Sequence, residues 1–191
     1  MASIPIVIDT QPPQVLATVE TGPETRPAAS GHPTWRWMWS HPWHVLALAG
    51  GVGLPRVAPG TWGTLFAWVS FVALDPVLTD LRWASLILAG LYFGAWAAQR
   101  AGESLGQPDS GHIVIDEVIA FWIVLWLLPA PRAFWLQALA FALFRLFDIA
   151  KPSPIRHFDA RFRNGFGVML DDLVAAFFTL LAIAIGVRVA G

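Results

Sequence analysis

Apolar residues gather into five long runs along this chain, at about 61–78, 82–99, 113–129, 132–149 and 168–188. A helix that crosses a bilayer needs roughly 20 mostly apolar residues. Several of the runs are on the short side, and each can span or nearly span. Breakers separate them: Asp75-Pro76 to Arg82, Gly102 to Gly111, Pro129 to Arg132 and Lys151 to Gly167. A sixth run, Val45 to Gly53, covers about nine residues before a Gly/Pro loop. That is too short to cross, and suits a re-entrant or half-buried helix. The pattern predicts an all-α fold: a polytopic membrane helix bundle of about five transmembrane helices plus that one short re-entrant or half-buried helix. No internal repeat suggests a duplicated transporter.

The first 33 residues have no sustained period and hold six prolines. Pro12-Pro13, Gly22-Pro23 and Arg26-Pro27 break any regular element. A disordered tail that packs against nothing is expected. Trp35, Trp37, Trp39 and Trp43 then crowd together, and indole prefers the headgroup level of a bilayer. The chain therefore divides into a disordered and interfacial tail, 1–40, and a membrane domain, 41–191. The N-terminus lacks the basic and apolar regions of a cleaved signal peptide.

Composition sharpens this picture. The 191 residues are 56% hydrophobic and 13% charged, with eleven tryptophans. Soluble domains carry about 25% charge. A net charge of −1 offers no field for nucleic acid, so none is expected as a partner. The absence of cysteine excludes disulfides, thiolate metal sites and cysteine nucleophiles. With the tail inside, the inner side carries Arg26, Arg36, Arg56, Arg100, Arg145, Lys151, Arg156, Arg161 and Arg163, and the outer side only Arg82, Arg132 and Arg188. That asymmetry follows the positive-inside rule.

The same topology puts four polar clusters on the inner side: Gly51 to Thr64, Ser110 to Glu117, Phe144 to Asp159 and Asn164 to Asp172. Carboxylates beside hydrocarbon are costly unless paired or bound to a cation. In the first cluster Pro59-Gly60 makes a turn, and Thr61 or Thr64 can cap the helix that follows. Free N–H groups at such a start suit a phosphate, although a plain turn is about as good a reading. In the second, Asp116 and Glu117 lie one turn inside an apolar helix. Neighbouring helical residues point about 100° apart, so one of the two is expected to face a site while the other caps or snorkels. In the third, Arg145, Asp148 and Lys151 follow i, i+3, i+6 spacing near one helical face. An internal salt bridge is the plain reading; two cations around one carboxylate would also suit a phosphate. In the fourth, a turn feeds a helix holding Asp171 and Asp172. Two acidic pairs plus Asp148 would make a hard oxygen site, better matched to Mg²⁺ than to zinc. The five histidines show no helical metal-ligand pairing and are set aside.

The chain lacks the Asp-x-Asp-x-Thr of aspartyl-phosphate enzymes. Ser110-Gly111-His112 comes without the companion patterns of type 2 phosphatidic acid phosphatases, and the CDP-alcohol phosphotransferase pattern is missing too. The strings HPWHVLALAGGVGLPRVAPGTWGTL, HIVIDEVIAFWI, FRLFDIAKPSPIRHFD and NGFGVMLDDLVAA, in that order over roughly 41–178, closely resemble the phosphatidylglycerophosphatase A family of bacterial inner-membrane lipid phosphatases. Two departures are visible: Ser153 stands in a Lys-Pro-Trp-Pro pattern, and Asn164 replaces the first residue of a Gly-Gly pair. The resemblance implies Mg²⁺-dependent hydrolysis of phosphatidylglycerophosphate at the inner, cytoplasmic face of a multi-pass bacterial inner-membrane protein. Under that reading Asp116, Glu117, Asp171 and Asp172 are metal ligands or base, and Asp148 is ligand or nucleophile. Lys151 and Arg145 hold phosphate with Pro59, Gly60, Thr61 and Thr64, and Arg156 adds a further contact. A small ion- or proton-coupled transporter is the competing reading, but the polar groups sit at span ends and the span centres are bare. The attacking group, the metal count and the oligomeric state are left open.

Overall fold

A computed structural model of the chain describes residues 31–150 and 165–190. Among these residues it is all-helical, with seven α-helices and no strand. Two short helices lead in: α1, Trp35–Ser40, and α2, Pro42–Ala47. Thr34 caps α1 by accepting the Trp37 N–H at 3.2 Å, and Pro42 occupies the first turn of α2, where its missing N–H costs nothing. The short helix expected over Val45–Gly53 thus starts three residues earlier and stops at Ala47. A 3-10 turn, Ala49–Gly51, with Gly50 at φ 72° and ψ 16°, ends it.

Five longer helices follow: α3, Pro59–Leu74; α4, Asp80–Leu105; α5, Ile115–Leu127; α6, Phe134–Ala150; and α7, Gly165–Ala190. Helix α5 is the axle, and α3, α4, α6 and α7 all pack on it. Val118, Ile119, Phe121, Val124 and Leu125 of α5 are all buried. The Trp122 indole fastens α5 to α3, donating to the Ala67 carbonyl at 3.1 Å and the Ser70 hydroxyl at 3.0 Å.

The expectation of about five spans is met only in part. Among the described residues two helices, Asp80–Leu105 and Met169–Val189, are long and apolar enough to cross a membrane. At 1.5 Å per residue α3 measures about 24 Å, α5 about 20 Å and α6 about 26 Å, against a hydrocarbon core of about 30 Å. In α5 most apolar residues face other helices, although Leu127 is exposed, so its apolar composition reflects packing inside the bundle as well as any contact with lipid. Elsewhere apolar side chains do cover the exterior, among them Val69 on α3, Leu88 and Tyr92 on α4, Trp135 and Ile149 on α6, and Phe177 and Val189 on α7.

The bundle has two chemically different ends. At one, Asp75 after α3 accepts from Arg132 at 3.2 and 3.3 Å and from the Trp83 indole at 3.2 Å. Arg132 also donates to the Trp126 carbonyl at 2.9 Å, so α3, α4, α5 and the approach to α6 are tied there. At the other end lie the starts of α3, α5 and α7 and the finish of α6. The last residues of the expected disordered tail are ordered by docking: Pro33 is buried, and Gly31 packs on Gln107. Residues 1–30 lie outside the described residues.

Candidate active site

Each site residue stands where a helix begins or ends. Asp116 and Glu117 are in the first turn of α5, whose helix N-terminus favours negative charge. The Asp116 Oδ1 folds back over that turn and accepts the Glu117 N–H at 3.1 Å. Asp172 comes from the second turn of α7. One carboxylate oxygen from each of Asp116, Glu117 and Asp172 falls within a group whose members all lie within 4.8 Å of one another. Asp116 and Asp172 are 3% and 5% exposed, so water screens their charges poorly.

This corrects the helical-wheel expectation that only one member of the 116–117 pair faces the site. Both reach the same ligand group. The wheel argument assumes side chains radiating from the middle of a helix, whereas at the first turn a carboxylate can bend over the open end. Asp171 is buried beside Asp172 on α7 and is not part of that three-residue group.

Helix α6 supplies the cation. Arg145 donates to Asp148 Oδ2 at 2.6 Å and reaches Thr64 Oγ1 at 3.5 Å. Both partners of the ion pair are largely buried, with side chains 14% and 15% exposed. Asp148 also interacts electrostatically with Asp116, Glu117 and Asp172. The spacing argument for an Arg145–Asp148 pair therefore holds, and the pair is part of the acidic site. Lys151 and Arg156, the other expected phosphate contacts, lie outside the described residues.

Helix α3 closes the site with backbone. Pro59 and Gly60 open it, after Ala58 in the left-handed region at φ 50°. Neither threonine caps: Thr61 and Thr64 are inside the helix, and the Thr64 hydroxyl donates back to the Gly60 carbonyl at 2.9 Å. Gly60 touches the site by having no side chain. A Cβ there would overlap Glu117 Oε1 and stand 3.2 Å from Arg145 Nη1. The sequence reading set aside one residue that the fold places among these elements. His112, four positions before Asp116, bonds to residues far away in the chain, so spacing carries no signal of it.

Magnesium can be tested against this donor set. The ligands are hard oxygens, as Mg²⁺ prefers. Glu117 Oε2 and Asp172 Oδ2 are buried atoms without a hydrogen-bond partner among the described residues. Orphaned carboxylate oxygens of this kind cost free energy unless a cation takes them up. The residues present fit the ion.

The comparisons with known proteins point the same way. The sequence model of a family described as phosphatidylglycerophosphatase A matches residues 45–187. A Haemophilus influenzae protein named phosphatidylglycerophosphatase A is 42% identical over 145 residues, covering 75% of this chain and 87% of its own length. An Escherichia coli protein of the same name is 39% identical over 136 residues, or 71% of this chain and 78% of its own. A Bacteroides thetaiotaomicron protein, provisionally named a phosphatidylinositol-3-phosphatase, is 39% identical over 146 residues, with 74% and 91% coverage. No solved structure matches. The matched span contains all the acidic residues of the site together with Gly60, Thr64 and Arg145, and the chain belongs to the phosphatidylglycerophosphatase A family.

Proposed function

We propose that this chain hydrolyses the phosphomonoester of phosphatidylglycerophosphate to phosphatidylglycerol and inorganic phosphate, using Mg²⁺ held by Asp116, Glu117 and Asp172. The observation that carries the reading is the group of three carboxylate oxygens within 4.8 Å, set beside the Arg145–Asp148 pair. Asp116, Glu117, Asp148 and Asp172 bring four negative charges, and Arg145 brings one positive charge. On their own these side chains would repel a phosphomonoester dianion. A divalent cation held by these carboxylates would offset two of those charges and would polarise the phosphoryl oxygens.

The remaining work falls to the chain itself. Arg145 donates to a phosphoryl oxygen from the α6 side, and its planar fork lets it keep Asp148 while doing so. Asp148 holds that guanidinium in one orientation. The opening of α3 at Gly60 lets backbone come close to the phosphate without a Cβ between them. Asp171 supports the acidic turn of α7. Lys151 and Arg156, which lie outside the described residues, are the further cations proposed for the phosphate. Hydrolysis breaks the phosphorus–ester bond: water supplies oxygen to phosphorus and a proton to the departing glycerol oxygen.

The substrate's acyl chains require a lipid environment, and the apolar exterior of α3, α4, α6 and α7 suits one. We place α4 and α7, which pack on each other, across the bilayer, with α3, α5 and α6 as shorter members of a five-helix membrane bundle. The excess of Arg and Lys on the site side argues for a cytoplasmic active site in the bacterial inner membrane. The bare centres of the helices give a transporter nothing to work with.

The decisive measurement is phosphate release from phosphatidylglycerophosphate in detergent micelles. Asp116→Asn and Asp172→Asn are each expected to lose about a hundredfold or more in kcat with unchanged melting, a loss typical of removing a transition-state charge contact. Wild-type protein is expected to stop in EDTA and restart on Mg²⁺. Full activity in chelator, or near-normal rates in both variants, would remove the metal reading.

A further inference from the structure

The loop before α5 is held by more than its own helix. The Val114 N–H donates to the Ala47 carbonyl at 3.0 Å, and the Ile113 N–H to the Ser110 carbonyl at 2.9 Å. Between them His112 is 8% exposed. Its Nδ1 lies 2.7 Å from the Gly53 carbonyl, and its Nε2 lies 2.8 Å from His32 Nδ1. The chemistry of these groups assigns the protons. A carbonyl only accepts, so His112 Nδ1–H donates to Gly53. In the neutral ring Nε2 then accepts, and His32 Nδ1–H is its donor. The two rings meet edge to face with centroids 4.9 Å apart. Gly53 has no room for a side chain, because a Cβ there would overlap the His112 carbonyl oxygen.

The relay joins three segments remote in sequence. His32 precedes α1 and lies outside the family-matched span of 45–187, Gly53 precedes α3, and His112 precedes α5. Helices α3 and α5 carry the two facing walls of the site, Gly60 and the Asp116–Glu117 pair. Fixing the approach to both helices fixes how far apart those walls stand.

We infer that His112 is a positioning residue for the phosphatase site, and that His32, supplied by the segment before α1, is its buttress. The ring does not touch the reacting groups. It acts by setting the first turn of α5 against the start of α3. A misplacement of roughly an ångström between the two walls costs up to about a hundredfold in rate. The activity arm of the test rests on the phosphatase reading; a second arm, amide hydrogen exchange of peptides covering Ile113–Val118, does not.

In detergent, His112→Ala is expected to speed exchange across Ile113–Val118 while the rest of α5 keeps its protection. Its kcat should fall about tenfold or more with KM within about threefold, because alignment is lost and ground-state binding kept. His112→Asn keeps a side-chain N–H near the Nδ1 position and should restore most of both readouts. His32→Ala should show the same changes more weakly, and a truncation lacking residues 2–33 should match it. A truncation lacking only 2–30 should stay within about twofold of full length, as expected when His32 and Pro33 are kept. Unchanged exchange and kcat in His112→Ala would overturn the inference, as would an Asn variant as impaired as the Ala one. If His112→Ala does not fold, His32→Ala decides, since it removes the outer ring alone; wild-type exchange and rate there would also overturn it. A wild-type protein that releases no phosphate would defeat the phosphatase reading instead, and the exchange arm would still rule on the relay.

Discussion

At the scale of single residues, Gly60 shows how a missing side chain can be functional. Its α-carbon faces Glu117 and Arg145 so closely that a methyl group would overlap the Glu117 carboxylate. Gly60→Ala should therefore displace Glu117 or push the start of α3 away, and kcat should drop about a hundredfold, the cost of roughly an ångström of misplacement. Helix α3 itself should tolerate alanine, so the melting temperature should hold. Retained activity would mean the site gives way more easily than its packing implies. Arg145→Lys tests the neighbouring wall. Arg145 reaches both Asp148 and Thr64 through Nη1, which leaves the rest of its planar fork for the phosphate; lysine keeps the charge but has a single ammonium for all three, so a loss of about tenfold or more is expected. The types of these residues were legible in the sequence. Their orientation was not: Asp116 and Glu117 share one site because Asp116 bends over an open helix end, a matter of local backbone.

Among the elements, α5 separates stability from activity. Its first turn carries the acidic pair, and its last residues join the Asp75–Arg132 tie at the opposite end of the bundle. Asp75→Ala would leave Arg132 without its carboxylate and the Trp83 indole without an acceptor. Both partners are about a third exposed, so the cost should be modest, about 1–2 kcal/mol. A thermal melt should show it, while kcat measured well below the melting temperature should change less than about twofold, since distant sites act independently. A large kcat loss with little change in melting would mean that the two ends of α5 are coupled. The helices themselves were readable from hydrophobic runs and Pro/Gly breakers. The ends of α5 were read too generously, because apolar character alone does not tell lipid contact from protein contact.

For the whole molecule, orientation is the property most open to test. Cysteine introduced at exposed Asp109 is expected to resist an impermeant thiol reagent in intact cells, and cysteine at exposed Val77 is expected to react. The chain has no cysteine of its own, so the background is clean. The reverse pattern would place the acidic site outside. The sequence by itself determined the all-helical class, the order of the runs, the acidic and basic clusters and the family, because these depend on local composition and short spacings. Tertiary structure alone decided which carboxylates come together, that α5 is an inner axle shorter than a span, and that His32, Gly53 and His112 meet. The last of these rests on hydrogen bonds between residues 59 and 80 positions apart, and the carboxylate group likewise joins residues far apart in the chain, which no periodicity encodes.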